Sequence, residues 1–188
     1  MAKTAPSADK SPRIGAVHRG KIAPAAGSPG TELDVLTYRP SKGVDDFVQR
    51  VCVATPMQLV DVERRGVHSR FVKDLSSRIG IPAVRLFSML GIPKATLEKK
   101  FAAGEAIGGS AGHAAVAMAR LIAKAQQIVA DSTAPEAKAF DAAKWLGQWL
   151  EHPQPALGGR KPAELIGTPT GAQVVARLLG SLESGACQ

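Results

Sequence analysis

A helix that must stop at a defined turn is the feature that most constrains this chain. Residues 145–160 read WLGQWLEHPQPALGGR and contain Trp145 and Trp149, the two tryptophans of the sequence. A spacing of four places both indoles on one face of a helix. Pro153 and Pro155 exclude continuation of that helix, because each lacks an N–H and restricts the residue before it. The glycine pair that follows permits a tight turn.

Two interpretations of this stretch follow from the residues alone. In the first, each tryptophan is a core residue and the turn only connects two helices, because large aromatic side chains are mostly buried. In the second, the turn itself has a function, since so many special backbone residues together indicate that one particular shape is required there.

The continuation of the stretch resembles a known protein family. Residues 160–185 read RKPAELIGTPTGAQVVARLLGSLESG. The motif N/Q-P-A-L-G-G-R-x-P, followed by a helix ending in G-x-L/I-E-x-G, is similar to the C-terminal toxin-binding domain of Xre-type antitoxins (the Xre/MbcA/ParS-like domain). The resemblance extends from about residue 115 to the end of the printed sequence. These antitoxins are paired with RES-domain toxins in bacterial toxin–antitoxin operons.

The resemblance implies partners and contact residues. The partner would be a cognate RES-domain toxin that consumes or transfers ADP-ribose from NAD, and the antitoxin would cover its active-site cleft. The complex usually represses its own operon, so operator DNA is a second implied partner. A homodimer that forms a larger assembly with the toxin is the implied state. The residues implied to bind the toxin are Trp149, Pro153, Pro155, Leu157, Gly158, Gly159, Arg160, Glu183 and Gly185.

Arg160 is the best candidate for a charged anchor in that interface. A guanidinium forms two parallel hydrogen bonds to a carboxylate, and acidic groups are expected in the cleft of such a toxin. The alternative is internal, because Arg160 can instead cap the preceding helix or pair with Glu164 on the next turn.

A second informative pattern lies in residues 81–101, IPAVRLFSMLGIPKATLEKKF. Pro82 and Pro93 each open a helix and Gly91 lies in the turn between them, which is typical of a helix-turn-helix. The second helix of such a motif reaches base edges in the major groove with its N-terminal residues. We expect Ile92 and Leu97 to point inward. The predicted DNA-binding residues are Lys94, Ala95, Thr96, Glu98, Lys99 and Lys100.

The position of this motif resembles the Xre-like helix-turn-helix that precedes the toxin-binding domain in the same family. One residue departs from the pattern. The position four before the turn glycine is usually Ala, and here it is Phe87, whose ring is expected to splay the two helices and weaken or alter DNA binding. An αα-hairpin with no role in DNA binding stays open as the alternative.

Positive charge is concentrated in two regions of this chain of net charge +8. Residues 63–100 carry nine basic and three acidic groups, and residues 1–43 carry seven and three, whereas the residues after 100 are balanced. This distribution suits an anionic partner such as DNA in the middle of the chain. The predicted domains are a flexible basic arm at 1–43, an Xre-like helix-turn-helix domain at 44–112 and a helical toxin-binding domain at 113–188.

Apolar periodicity predicts an all-α fold. Residues 44–53, 69–78 and 113–130 are predicted as helices, and Thr55-Pro56 is predicted to begin a short one that Gly66 ends. Residues 32–38 are predicted as a short strand or a docked extended segment, and 102–112 as a loop. A capping box over 133–136 is predicted to start the tryptophan-bearing helix. Thr168-Pro169 is predicted to begin the last helix, whose expected buried face is Val174, Val175, Leu178, Leu179 and Leu182.

Catalytic chemistry is not indicated. The four histidines have no cysteine or carboxylate at ligand spacing, and no phosphate-binding loop or nucleophile motif is present. We therefore predict no enzyme, no metal and no cofactor. Cys52 and Cys187 match no metal or redox spacing, which fits free thiols in a reducing cytoplasm. No apolar run approaches the about 18 residues of a membrane helix.

Three hypotheses from different classes remain at this point. The first is an antitoxin with a DNA-binding middle and a toxin-binding C-terminal domain. The second is a stand-alone transcription regulator whose C-terminal half only dimerises. The third is a toxin-binding protein or scaffold that has lost DNA binding.

Overall fold

The fold is all-α, as predicted. A computed structural model describes residue 1 and residues 35–183, so residues 2–34 of the predicted arm and residues 184–188 lie outside the described part. Within that part, eight α-helices accompany two strands of two residues each. They are α1 (Gly43–Cys52), α2 (Pro56–Arg65), β1 (Val67–His68), α3 (Arg70–Ile79), α4 (Ala83–Met89), α5 (Lys94–Ala103), β2 (Ala106–Ile107), α6 (Gly109–Ala130), α7 (Ala142–Leu150) and α8 (Pro169–Glu183), with 3-10 turns at Pro135–Ala139, Pro155–Leu157 and Pro162–Glu164.

Helix α6 is the centre of the packing. It has 22 residues and packs against α1, α2, α7 and α8. Alanines make up much of its buried surface, with Ala115 and Ala119 fully buried, so neighbouring helices approach closely. One core of buried residues continues from Leu36 to Leu179. The predicted domain boundary at residue 112 falls inside α6, and the division into two domains stays a prediction.

The loop predicted for residues 102–112 is wrong in most of its length. Helix α5 extends to Ala103, β2 pairs antiparallel with β1, and α6 begins at Gly109. Two glycines, Gly66 before β1 and Gly112 in α6, allow close approach of backbones here. A Cβ on Gly66 would lie 2.5 Å from the Ile107 carbonyl oxygen, and one on Gly112 would lie 2.7 Å from the same atom. Their role is therefore packing rather than flexibility.

The segment before α1 is docked rather than paired as a strand. Leu36 and Tyr38 are buried, and Arg50 donates hydrogen bonds to the carbonyl oxygens of Thr37 and Val35 at 3.0 Å each. The Tyr38 hydroxyl donates to Asp74 Oδ2 at 2.6 Å. Burial and the Asp74 carboxylate raise the pKa of Tyr38 above its ordinary value. Residues 35–38 thus follow the second of the two predicted alternatives.

Most of the predicted helix starts and stops are confirmed. Thr55 Oγ1 accepts a hydrogen bond from the Gln58 amide, and the Gln58 side chain accepts one from the Thr55 amide, so this is a complete capping box. Gly66 ends α2 and Gly80 ends α3, and both have positive φ. At the start of α8, Thr168 Oγ1 accepts from the Gly171 amide at 3.1 Å.

The predicted start of the tryptophan-bearing helix is wrong. The capping-box pattern over 133–136 precedes only a 3-10 turn, and α7 begins at Ala142 with Asp141 as its N-cap. Asp141 Oδ1 accepts from the Lys144 amide at 3.1 Å and from Arg78 Nη1 at 2.8 Å. Since Arg78 also holds Asp45 of α1, a tertiary ion pair fixes the helix start at this later residue.

The predicted buried face of α8 is correct only at its centre. Val175 and Leu179 are fully buried and Leu178 is half-buried, but Val174 and Leu182 are each 36% exposed. Among the described elements, α8 makes its extensive contact with α6. The apolar stripe of α8 is therefore wider than the surface that covers it. None of the described helices has the length and apolar character needed to cross a membrane.

Candidate functional site

The tryptophan face of α7 forms as predicted. The indoles of Trp145 and Trp149 stack with ring centroids 6.1 Å apart and an interplanar angle of 21°. Trp149 is only 8% exposed, so its indole belongs largely to the core. Trp145 is half-buried and contacts Phe140, whose ring centroid lies 6.1 Å away. The core interpretation is therefore correct for the indole of Trp149, while the Trp145–Phe140 pair reaches the surface.

Helix α7 is fixed in the core by a close backbone contact. Leu146 and Leu150 are fully buried beside the tryptophans. A Cβ on Gly147 would lie 2.1 Å from the Ile79 carbonyl oxygen, at the end of α3. Only glycine fits between these two helices, and the segment that leaves the end of α7 therefore starts from a rigid support.

The segment that follows, residues 153–160, is a compact hydrogen-bonded turn (the 153–160 turn). The Gln154 amide donates to the Arg160 carbonyl oxygen and the Gly159 amide to the Gln154 carbonyl oxygen, each at 3.0 Å. Gly158 and Gly159 have φ of 66° and 80°, with open space where a Cβ would be. Backbone conformation, not crowding, therefore requires glycine at both positions.

The 153–160 turn presents most of its residues to solvent. Pro153, Pro155, Gly158, Gly159 and Arg160 are exposed, and Leu157 is half-buried. Six of the predicted toxin-binding residues are thus brought together on one exposed turn, while Trp149 is buried in α7. Glu183 is the last residue of α8; its side chain and the whole of Gly185 lie outside the described part of the chain.

One carboxylate joins both ends of the 153–160 turn. Glu151, just before the turn, accepts hydrogen bonds from Arg85 Nε at 2.6 Å and Arg85 Nη2 at 3.1 Å. Lys161, just after the turn, places Nζ 3.5 Å from Glu151 Oε2. The hydrogen bonds from Arg85 lower the pKa of Glu151 and outweigh partial burial, which acts in the opposite direction. Glu151 is therefore charged and holds the base of the turn.

An apolar groove lies beside the tryptophan face. Its volume is about 470 Å³, and it runs between the end of α6, the 3-10 turn at Pro135–Ala139, the start of α7 and the end of α8. Phe140, Trp145 and Leu182 are among its lining residues, and Phe140 is 45% exposed. This groove adds apolar side chains to the exposed surface near the end of α8.

The two helices of the predicted helix-turn-helix are present as α4 and α5. Ile92 and Leu97 are buried, as predicted, and Leu97 is the one buried residue of α5, a helix described in full. Phe87 is 5% exposed, and its carbonyl oxygen accepts from the Ile92 amide at 2.8 Å. The ring is thus accommodated in the core. That this pair of helices binds DNA stays a prediction.

The predicted DNA-binding residues differ in how free their side chains are. Lys94, Ala95, Thr96, Glu98 and Lys99 are exposed on α5, with Lys94 Nζ 3.7 Å from Glu98 Oε1. Lys100 instead donates to Glu105 Oε2 and to the Ala106 carbonyl oxygen at 3.1 Å each. Lys99 makes no ion pair among the described residues, so it is the least restrained of the three lysines of α5.

Sequence reasoning missed Arg85, Glu151 and Lys73. The Lys73 ammonium lies 3.3 Å from the centroid of the Phe101 ring and so joins α3 to α5. No sequence pattern signals these contacts, because their partners lie far apart in the chain or on different helices. No group of three or more residues suited to hold a metal ion occurs within the described ranges.

Comparison with known proteins relates this chain to a family of antitoxins. Residues 137–185 match the family described as the antitoxin Xre/MbcA/ParS C-terminal toxin-binding domain. The "Prs ADP-ribosylating antitoxin" of Sphingobium sp. (strain YBL2) is 31% identical over 146 residues, which cover 77% of this chain and 91% of that protein. The matched family segment contains α7, the 153–160 turn and α8.

Proposed function

This chain belongs to the Xre/MbcA/ParS family of antitoxins, and from that premise we propose that it binds and neutralises a RES-domain toxin that acts on NAD. As an antitoxin it is one half of a toxin–antitoxin pair. The name of the Sphingobium relative mentions ADP-ribosylation, which favours a toxin that transfers ADP-ribose over one that only degrades NAD.

The exposed 153–160 turn is the observation that carries this proposal. A turn whose backbone is fixed by prolines and hydrogen bonds loses little conformational entropy on binding, so it suits insertion into a partner's cleft. The turn lies within the matched toxin-binding segment and presents Arg160 as its one cation. We assign the toxin contact to this turn together with α8, and Arg160 to an acidic group of the cleft.

Autoregulation by DNA binding forms the second part of the proposal. Helix α5 has one buried residue and presents Lys94, Thr96 and Lys99 to solvent, which fits a recognition helix that contacts phosphates and bases. In this assignment residues 44–112 bind the operator as a homodimer and residues 113–188 bind the toxin. A complex with toxin would then be the repressing species.

Co-purification from the intact operon tests the toxin part directly. A tagged form of this chain, expressed with its neighbouring reading frames, is expected to retain a RES-domain protein that mass spectrometry identifies. Recovery of the chain alone, with a RES-domain protein expressed but not retained, would contradict the proposal. A gel-shift with the upstream promoter tests the DNA part, and absence of any shift with or without toxin would leave an antitoxin without autoregulation.

A further inference from the structure

Arg85 lies in α4, outside the segment 137–185 that matches the toxin-binding domain. Its guanidinium nevertheless holds Glu151 with two hydrogen bonds, at 2.6 and 3.1 Å, one to each carboxylate oxygen. Bidentate pairs of this kind fix both distance and orientation, because the two bonds are parallel and the guanidinium is planar. The first helix of the predicted helix-turn-helix thus contacts the base of the 153–160 turn.

The contact reaches both ends of the turn. Glu151 is the C-cap residue of α7, and the same carboxylate oxygen that accepts from Arg85 Nη2 lies 3.5 Å from Lys161 Nζ. Arg85, Glu151 and Lys161 have side chains 40%, 27% and 40% exposed, so the group is partly shielded from water. Glu151 is therefore tied to α4 directly, and Lys161 is tied to it through Glu151.

A second contact joins α4 to the segment after the turn. Met89 lies one helical turn after Arg85, on the same face of α4. Its carbonyl oxygen would lie 3.3 Å from a Cβ on Gly167, so the two backbones run close together. Met89 itself is buried. This contact does not involve the ion pair, and it places the same face of α4 against the chain on the far side of the turn.

We propose that Arg85 is a positioning residue for toxin binding: through Glu151 it holds the exposed 153–160 turn, and with it Arg160, in the orientation that the toxin accepts. This inference rests on the proposed function. Its physical basis is preorganisation, since a turn that is already ordered loses less entropy when it binds. The determinants of toxin recognition then extend beyond the matched segment into the helix-turn-helix region.

Four variants of the full chain and one matched control test the inference. Arg85→Gln and Glu151→Gln each remove the bidentate pair, and the double variant removes both partners. Arg85→Lys keeps the charge but not the fork of donors. Arg78→Gln is the matched control, because Arg78 is also a guanidinium that holds α7, but at the opposite end, through Asp141. Thermal unfolding of every variant separates loss of fold from loss of position.

Two readouts are used, with the free chain and with a purified RES-domain protein from the same operon. In the free chain, amide hydrogen exchange at Gln154 and Gly159, which are hydrogen-bonded across the turn, is expected to accelerate in Arg85→Gln but not in Arg78→Gln. Titration calorimetry is expected to show about tenfold weaker toxin binding for Arg85→Gln and for Glu151→Gln, with the double variant no weaker than either. Arg85→Lys is expected to restore little of the affinity.

The outcomes separate the inference from the proposed function. Normal toxin affinity in Arg85→Gln, unchanged exchange in the turn, or an equal loss of affinity in Arg78→Gln would each overturn the positioning role while the antitoxin assignment stands. Failure of the unaltered chain to bind the RES-domain protein would overturn the proposed function, and with it any role of Arg85 in toxin recognition.

Discussion

Arg160 Nε donates a hydrogen bond to Glu164 Oε2 at 3.4 Å, and the two side chains are 61% and 45% exposed. The internal pairing that the sequence offered as an alternative is therefore present in the free chain. An exposed pair of this kind contributes about 0–1 kcal/mol to the free energy of unfolding. The guanidinium can thus leave Glu164 for a carboxylate of a partner at little energetic cost.

Arg160→Ala is expected to leave thermal unfolding nearly unchanged and to weaken toxin binding by about 2–5 kcal/mol, the range for truncation of a buried interface charge. Glu164→Gln is the control, since it frees Arg160 without removing it and should retain full affinity. Calorimetric titration with the toxin and thermal melting measure the two effects. An early melt in Arg160→Ala, or undiminished toxin binding, would make Arg160 structural or irrelevant.

Gly147 and Gly180 give opposite predictions for the same substitution. Alanine in an open helix position is more stable than glycine by about 0.5–1 kcal/mol. At Gly147 the new Cβ would meet the Ile79 carbonyl oxygen at 2.1 Å, so Gly147→Ala should instead lower the free energy of unfolding by about 1–3 kcal/mol. At Gly180 it would meet only the flexible end of Lys124.

Urea unfolding of the two glycine variants beside the unaltered chain makes the comparison. Gly180→Ala is expected to be neutral or slightly stabilising, because the Lys124 side chain can move aside. Equal stability of Gly147→Ala and Gly180→Ala would show that α7 and α3 are not packed as closely as described.

Local sequence signals predicted this fold wherever the deciding contacts are local. The start of α2 at Thr55-Pro56 and its end at Gly66 depend on contacts within a few residues, and both were predicted correctly. The prediction for the start of α7 was wrong because the choice between residue 133 and Asp141 depends on Arg78, which lies on another helix. The pairing of Val67 with Ile107 was not predicted either, because two-residue strands have no detectable periodicity.

The candidate site shows the same division. The exposed turn was predictable because prolines and positive-φ glycines determine backbone shape locally. The exposure of Val174 and Leu182 could not be predicted, because apolar spacing indicates a helix face but not how much of that face another helix covers. Arg85 was not predictable either, as its partner Glu151 is distant in sequence.

Asp141 combines an N-cap with an ion pair, and the two can be separated. Asp141→Asn keeps an acceptor for the Lys144 amide but loses the charge that faces Arg78, whereas Asp141→Ala loses both. Loss of the cap costs about 0.5–2 kcal/mol, so Asp141→Ala should be the less stable variant by about that amount. Urea unfolding at neutral pH measures the difference. Identical stability of the two variants would remove the capping role.

Glu151 makes the stability of the chain depend on pH in a defined direction. The hydrogen bonds from Arg85 hold the pKa of Glu151 below its ordinary value of 4.5 in the folded chain. The stabilisation is therefore complete above pH 4.5 and is lost as the pH falls through the lowered folded-state pKa. The difference in unfolding free energy between the unaltered chain and Glu151→Gln should shrink over that acidic range. A difference independent of pH would contradict the ion pair.

Lys99 and Lys100 are expected to affect DNA binding differently. Lys99 is free of ion pairs among the described residues, so Lys99→Ala should reduce the slope of log K against log salt by about one unit without changing stability. Lys100→Ala should also lower stability, because Lys100 holds Glu105 and the Ala106 carbonyl oxygen. Substitution of Thr96 should change preference among operators instead. Gel-shifts over a salt series measure these effects. An unaltered slope in Lys99→Ala would contradict a role of this helix in DNA binding.

We propose that this antitoxin stops a RES-domain toxin by covering its NAD cleft. The direct measurement is the rate at which the purified toxin consumes NAD while this chain is titrated in. We expect the rate to fall to background at a fixed stoichiometric ratio, and a chain that ends at Pro169, and so lacks α8, to leave the rate unchanged. Full NAD turnover in the presence of saturating, folded, full-length chain would show that the chain does not cover the NAD cleft.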